Sequence, residues 1–341
     1  MYEIYVILFT FLSTIIVNFF LLKSNLLLDK KYSSHKSFLN KNIVPLSGGI
    51  IFLITICLFS KTDFYSFKLI LVTIFLVGVF SDLNLISSPD KRLFIQIFIV
   101  SVFIYINNIY INSISWVWVD YYLQNTYLGY FLSLFCFVIL INGTNFMDGV
   151  NILVIGYYLS ISLIVLYIAN SFNLEFNFNL TKIIVIILAV LFIFNFFGKL
   201  FLGDSGAYLI SFVFGYILID LSNRNPTVSS FFIACMLWYP AYENLFSIIR
   251  KIIKKKIPTK ADNRHLHQLL YIFIKNKVSY SNNIINTLTG LIINFFNLLF
   301  FLQAAKNFDN TKELIISIVV AVLFYNFAYY YLSKKTNYRS N

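Results

Sequence analysis

Charge is what this 341-residue chain lacks: Asp, Glu, Lys and Arg make up 12% of it, where a water-soluble domain carries about 25%. Hydrophobic residues fill 59% instead, in runs that mostly reach the ~15 to 20 residues a bilayer crossing needs. That excludes a soluble globular domain and points to a protein integral to a membrane. Cysteine is scarce as well. Cys57, Cys136 and Cys235 each lie inside an apolar run, with no paired spacing in any loop, so neither a disulfide framework nor a zinc site is indicated. No internal repeat and no separate soluble domain is visible, and residues 1–341 read as one membrane-embedded domain. The first apolar run follows only Met1-Tyr2-Glu3, with no basic leader and no small-residue cleavage site, so it reads as a retained helix rather than a removed signal peptide.

What is present is a series of eleven candidate spans, at 4–22, 46–60, 67–80, 93–111, 127–141, 152–169, 183–197, 207–221, 228–245, 284–304 and 314–332. The expected fold is all-α, a polytopic integral membrane protein of about 10–11 transmembrane helices. When the spans alternate, one side holds all of the 26 Lys and Arg except Lys61, Lys68, Lys182, Arg224, Lys306 and Lys312. The positive-inside rule puts the richer side in the cytoplasm and the N-terminus outside. The loops near 23–45, 81–92, 144–151, 198–206 and 248–283 are then cytoplasmic. A net charge of +12 reads, on this view, as loop lysines that set orientation and hold anionic lipid headgroups, and nucleic acid is not expected as a partner. The aromatic load of 39 Phe and 24 Tyr reads as lipid-facing packing and interface belts.

Three short polar stretches interrupt the apolar runs on the cytoplasmic side: Ser81-Asp82, Asn142-Gly-Thr-Asn145-Phe-Met-Asp148-Gly149, and Lys199-Leu-Phe-Leu-Gly203-Asp204-Ser-Gly206. The runs ending at Phe80, Ile141 and Phe197 lead straight into them, so those helices are expected to carry polar residues on their last turns. Asn145 and Asp148 stand three apart, which on a helical turn puts a carboxamide and a carboxylate on one face. Asp204 adds a second carboxylate, Lys199 an ammonium, and the Gly-Asp-Ser-Gly turn a helix start with free backbone N–H groups. A carboxylate at a membrane boundary costs ~1 to 3 kcal/mol unless paired or wet, so a cluster of them indicates a site with a cytoplasmic cleft. Magnesium takes oxygen ligands, often one or two carboxylates plus substrate phosphates, and Asp204 with Asn145 or Asp148 fits that recipe. No cluster of His or thiolate points to zinc or copper instead.

Each stretch alone also has a plainer reading, that of a helix cap or a solvated loop. Asp82 falls at a helix C-terminus, against the macrodipole, and needs a partner such as a metal or Lys91 and Arg92. Pro45-Leu-Ser-Gly48-Gly49 reads as a helix entry whose glycines could also let a backbone approach a phosphate. The run Arg250-Lys251-Ile-Ile-Lys254-Lys255-Lys256 reads as lying on the anionic leaflet. Beyond it come Asp262-Asn-Arg264-His265-Leu-His267-Gln268, whose histidines could hydrogen-bond a sugar or a diphosphate. Their i, i+2 spacing turns them apart on a helix, so both face one cleft only if the segment is extended.

Taken in order, Pro45-X-X-Gly48-Gly49, Gly78-X-X-Ser81-Asp82 with Arg92 and Gln96, Asn142-X-X-Asn145-Phe-Met-Asp148-Gly149, Lys199-X-Phe-Leu-Gly203-Asp204-Ser-Gly206 and Asp262-Asn-Arg264-His265-Leu-His267 resemble the polyprenyl-phosphate N-acetylhexosamine-1-phosphate transferases. The resemblance covers nearly the whole chain. It implies a ten- or eleven-helix enzyme that transfers a sugar-1-phosphate from a UDP-sugar to undecaprenyl phosphate, with Mg²⁺ as cofactor and Mn²⁺ as its alternative. By the same resemblance Asp204 is the principal metal ligand and Asn145 shares that role. Asp82 lies nearest the acceptor phosphate, Asp148 is a further acid of the cleft, and Lys199 contacts the diphosphate. Asn142, Gly48, Gly49, Arg264, His265 and His267 join it as substrate-binding positions, the histidine stretch resembling the sugar-recognition motif of the GlcNAc-type branch.

Four departures from the family pattern stand out: Ser81 for the first of two Asp, Asn151-Ile152 for a second Asp-Gly, Ala207 for Ser, and Gln268 for a third His. Losing a carboxylate at Ser81 weakens any mechanism that needs two adjacent acids. The expected setting is a bacterial cytoplasmic (inner) membrane and a cell-surface polysaccharide or O-antigen pathway, with the bilayer as partner and a homodimer as one allowed assembly. Two other readings stay open: a lipid-sugar transporter or flippase, and an inactive nucleotide-sugar-binding relative.

Overall fold

The computed structural model describes residues 1–29, 43–60, 65–125, 127–255, 257 and 264–336. Lys36, Lys41, Asp262 and Asn263, which belong to the basic entry loop and the histidine stretch, lie outside the described residues. Among those described the regular structure is helical, with thirteen helices and no strand. Eleven helices correspond to the eleven expected spans: α1 (Tyr2–Ser24), α2 (Gly48–Phe59), α3 (Tyr65–Asp82), α4 (Pro89–Asn107), α6 (Leu128–Met147), α7 (Leu153–Ser171), α8 (Phe178–Phe196), α9 (Gly203–Arg224), α10 (Ser230–Ile253), α12 (Asn282–Lys306) and α13 (Thr311–Lys335). Two shorter helices, α5 (Val117–Asn125) and α11 (Leu266–Lys275), were not expected from the apolar runs. Eight of the helices are long and apolar enough to cross a membrane, so the protein is polytopic.

Backbone hydrogen bonding explains why the spans are helices: hydrocarbon supplies no water, so each N–H and C=O must be satisfied within the segment. Lipid tails are as apolar as leucine, so helices meet through close packing and small residues rather than through hydrophobic exclusion. α9 shows this most fully. Its best membrane window is 89% buried, against 17% for α1 and 22% for α13. Small residues recur every fourth position along it, at Gly203, Ala207, Ser211 and Gly215, all buried. α9 is therefore the central post, with α2, α3 and α6 packed directly on it.

Three approaches are very close. A Cβ added to Gly78 of α3 would lie 2.2 Å from Ser205 Cα, and one added to Gly49 of α2 would lie 2.6 Å from Gly206 N. A Cβ on Gly215 would meet the Phe137 ring of α6 at 2.6 Å. Glycine at these contacts lets three helices touch the post.

α2 has only twelve residues and is too short to span about 30 Å of hydrocarbon on its own. The buried, non-helical segment before it completes its pairing inside the protein: Phe201 N–H donates to the Pro45 carbonyl at 3.0 Å and Gly48 N–H to the Phe201 carbonyl at 3.1 Å. Irregular backbone at such depth is tolerated where protein covers it.

Polar contacts divide between the two ends of the bundle. One end joins α3, α4, α6, α9 and the loop 197–202, and also the starts of α7 and α12, through Asn151 with Asn283 and Thr287. At the opposite end Ser113 meets Ser230, Ser229 meets Thr311, and Asn225 meets Glu175. All three polar stretches of the sequence sit at the first end.

Candidate active site

The site is built around the first turn of α9. That turn has four backbone N–H groups with no partner inside the helix, and its own N-cap residue, Leu202, offers no side-chain acceptor. Asp82, at the last residue of α3, supplies what is missing: one carboxylate oxygen accepts from Asp204 N–H at 2.9 Å and the other from Ser205 N–H at 3.2 Å. The unfavourable end of one helix dipole thus holds an acid that serves the favourable end of another. These two α9 amides are partners that the sequence did not point to, beside the metal or the Lys91 and Arg92 expected for Asp82. Gly203 fits beneath the carboxylate with φ +70°, and a Cβ there would come within 2.7 Å of Asp82 Oδ2.

Asp204 projects from the same turn. Ser81 Oγ donates to its Oδ2 at 2.5 Å, and Arg92 Nη1 donates to that oxygen at 2.9 Å and to Ser81 Oγ at 2.5 Å. Both members of the Arg92–Asp204 pair are about a quarter exposed, at 23% and 25%, so the cluster opens to solvent at its edge. These partners meet Oδ2. Ser81, where the family pattern has an acid, is a neutral link between guanidinium and carboxylate.

Asn142 joins the middle stretch to this cluster, its amide donating to Gln96 Oε1 at 2.9 Å. Gln96 lies one turn beyond Arg92 on α4, and α4 and α6 run in opposite directions. Asn145, one turn further along α6, therefore falls at the level of Arg92 and Asp204. Asp148 terminates α6, its N–H donating to the Thr144 and Asn145 carbonyls at 3.2 and 3.3 Å. Asn142, Asn145 and Asp148 are all partly exposed. The expectation that α6 would carry these residues past its apolar run holds, as it does for α3. α8 differs: it ends at Phe196, and Lys199 lies in the following loop, exposed, with its carbonyl accepting from Asn18 at 3.2 Å.

The histidine stretch closes over the end of α6. His265 is the extended N-cap residue of α11 and His267 lies in its first turn, so the two rings stack in parallel, 5.8 Å apart at 3°. The His265 ring packs on Phe146 at 5.1 Å, and His267 lies directly against Gly149. Full burial holds the His267 imidazole down to about 3, with His265 beside it adding in the same direction, so the ring is neutral at physiological pH. Arg264 contributes its carbonyl to Arg250.

One expectation is corrected here. Arg250 and Lys251 are not on an exposed face that could lie on a leaflet. They are 8% and 5% exposed, Arg250 bonding Tyr329 at 2.6 Å and Lys251 standing over the Phe146 ring at 5.7 Å. Aromatic faces and carbonyls desolvate the last turn of α10, and guanidinium and ammonium groups suit that setting. Gly48 and Gly49 are likewise occupied by helix contact, Gly48 through its bond to Phe201 and Gly49 against Gly206.

Sequence reasoning gave little weight to Glu243. It is fully buried in α10, accepts from Tyr325 at 2.8 Å on one oxygen, and bonds His265 Nδ1 at 2.8 Å on the other. A lone acid inside an apolar span was the signal that could have found it.

Whether a divalent cation fits can be judged from the donors. Among the described residues no group of three or more His, Cys, Asp or Glu side chains is arranged around a common point. That disfavours a closed transition-metal cage. Magnesium differs, because it keeps waters and binds through one or two carboxylates plus substrate phosphates. A part-exposed Asp204 with Asn145 at its level is a donor set of that kind, and the residues fit it.

Fold and site together define a polytopic helical membrane protein whose acids, amides, guanidinium and imidazoles gather at one end of the bundle. The family comparison agrees in extent: the profile of glycosyl transferase family 4 matches residues 64–222, from the start of α3 to the end of α9. Curated relatives include the undecaprenyl-phosphate alpha-N-acetylglucosaminyl 1-phosphate transferases of Salmonella typhi and Escherichia coli K12. Each is 25% identical, over 68% of this chain and 66% of its own length. The phospho-N-acetylmuramoyl-pentapeptide-transferase of Dictyoglomus turgidum is 30% identical over 52% of this chain and 59% of its own. The chain thus spans less than two thirds of the length of each of these relatives. These likenesses support a polyprenyl-phosphate hexosamine-1-phosphate transferase family for this chain.

Proposed function

We propose that the protein transfers an N-acetylhexosamine-1-phosphate from a UDP-sugar to undecaprenyl phosphate, releasing UMP, as a membrane step of cell-surface polysaccharide assembly. The observation that carries this is the Arg92–Ser81–Asp204 cluster at the capped start of α9, at the same bundle end as Asn145, Asp148 and the histidine pair. The positive-inside distribution of Lys and Arg supports a cytoplasmic site and an outer N-terminus.

In the proposed reaction an oxygen of the lipid phosphate attacks the sugar-linked phosphorus. The new P–O bond replaces the bond to UMP, which leaves with its electron pair. A phosphate monoester is already largely ionised at neutral pH, so a general base is optional. The obstacle is bringing anions together: at 4 Å and an effective dielectric of ~20, two unit charges repel by about 4 kcal/mol. Arg92 supplies fixed positive charge at the site, Lys199 on the exposed loop before α9 would add to it, and Asn142 and Asn145 supply amides that orient oxygens. Magnesium, held by Asp204 and Asn145 when bound, would neutralise phosphate charge. Asp82 holds the first turn of α9, and so sets where Asp204 points.

UMP release from UDP-GlcNAc by the purified protein with undecaprenyl phosphate tests the reading, run with and without Mg²⁺ and repeated over a panel of UDP-sugars. Magnesium-dependent release that disappears in Asp204→Asn is the expected result. Release that persists at the wild-type rate in Asp204→Asn would overturn the metal assignment. Absence of release with every donor would favour the inactive relative that Ser81 suggests, or a lipid-sugar transporter.

A further inference from the structure

The buried acid of α10 has a geometry that the reaction as described does not use. Glu243 is fully buried, and each of its oxygens is engaged: Oε2 by the Tyr325 hydroxyl of α13 at 2.8 Å, Oε1 by His265 Nδ1 at 2.8 Å and, more weakly, by Leu266 N–H at 3.4 Å. A carboxylate accepts and does not donate, so the proton in the Glu243–His265 contact belongs to Nδ1. Nε2 is then the ring's remaining nitrogen. Both nitrogens of His267 are sealed from solvent without a partner, whereas His265 Nε2 is not among the sealed, unpartnered atoms. It points away from Glu243, beside Phe146 of the Asn145–Asp148 stretch.

Other contacts fix the same segment. Gln268 Oε1 accepts from His265 N–H at 3.0 Å, closing the first turn of α11, and Arg250 ties α10 to Tyr329 and to the Arg264 carbonyl. Three helices therefore converge on the orientation of one imidazole.

We propose that Glu243 is a positioning residue: from within the bundle it fixes His265 as the Nδ1–H tautomer and turns Nε2 toward the polar headgroup of the sugar-nucleotide donor. Placed so, Nε2 accepts from a donor hydroxyl or amide while the ring is neutral. If it takes a second proton it donates to a phosphate oxygen, and Glu243 balances the new charge. Carboxylate partners of metal-ligating histidines fix the tautomer in this way, and their loss costs about 10–100-fold there, which sets the scale expected here. The assignment rests on the reading of the protein as a sugar-phosphate transferase only for what Nε2 contacts, not for the tautomer.

Two measurements test it. Selective ¹⁵N-histidine labelling reports at most three imidazoles, His35, His265 and His267, and the His265 signal is the one lost in His265→Asn. At high pH that signal is expected to show a protonated Nδ1 and an unprotonated Nε2; the reverse tautomer would overturn the proposal whether or not any donor is turned over. In UMP release, Glu243→Gln is expected to lose ~10–100-fold in kcat/KM, mostly in kcat, and Glu243→Asp to recover part of it. A folded Glu243→Gln protein with wild-type kcat would also overturn it. A wild-type protein that shows the Nδ1–H signal yet releases no UMP would leave the positioning intact and sink the proposed function instead.

Discussion

Removing the carboxylate of Asp82 separates two roles that a sequence cannot separate. In the structure its oxygens accept from two amides of α9 at 2.9 and 3.2 Å. Losing a helix cap costs about 0.5–2 kcal/mol, and an acid's attraction to a helix N-terminus adds up to ~2 kcal/mol where it is partly buried. Asp82→Ala should therefore destabilise the protein by about 1–4 kcal/mol. Asp82→Asn keeps one acceptor oxygen but sets an NH₂ against the second amide, and should cost roughly half as much. Reversible unfolding in mixed micelles, titrated with SDS and followed by circular dichroism, measures both. Turnover should fall in parallel, and the Mg²⁺ concentration for half activity should rise, because Asp204 sits on the turn that Asp82 holds. If Asp82→Ala unfolds within about 0.5 kcal/mol of wild type, the capping account is wrong. An Asn variant of wild-type stability and Mg²⁺ requirement that has nonetheless lost turnover would assign Asp82 to the chemistry alone.

Three further outcomes follow from the same geometry. Gly78→Ala places a Cβ 2.2 Å from the Ser205 backbone, where no side chain can rotate away, and should cost about 3 kcal/mol or more in the same unfolding assay. Ser81→Asp puts a second carboxylate beside Asp204, with repulsion of ~4 kcal/mol at 4 Å that Arg92 offsets only in part. That variant should be less stable than wild type at neutral pH and recover as pH falls or Mg²⁺ is added, and equal stability throughout would refute it. His267 is held down to about 3 from an ordinary 6.5, so the unfolded chain takes up its proton first as pH falls. Stability should drop below pH ~6.5 by up to about 1.4 kcal/mol per unit from this ring, and His267→Gln should flatten that slope.

Much of the fold was legible because hydrocarbon leaves few choices. Apolar runs near the length of a crossing become helices, and all eleven did. α5 and α11 escaped because short helices outside the apolar runs have no such signature. α11 in particular takes its place from contacts with α12, which follows it, and with α13, which is distant in the sequence. The same distance hid the buried part of the basic run. Arg250 and Lys251 read as leaflet lysines do, and only Phe146, Phe246 and Tyr329, brought in from α6, α10 and α13, make their burial tolerable.

The histidine pair shows where local spacing misleads. Two positions apart, the side chains diverge on a helix, but the helix begins between them, so that His265 is extended, His267 is helical and the rings stack. For the acids the lesson is different: their types were readable, their partners were not. Asp82 at the wrong end of its own helix signalled a missing partner, and that partner is another helix's N-terminus, created where Gly78 and Gly49 let α3 and α2 reach the α9 backbone. A helix that starts inside a bundle leaves amides which lipid cannot satisfy, so some acceptor must be brought to them. Because Asp82 fills that need from α3, Asp204 is left to turn outward toward Ser81 and Arg92. Packing at the glycines and polarity at the site are therefore one arrangement, and a substitution that parts the helices should disable the site before it unfolds the bundle.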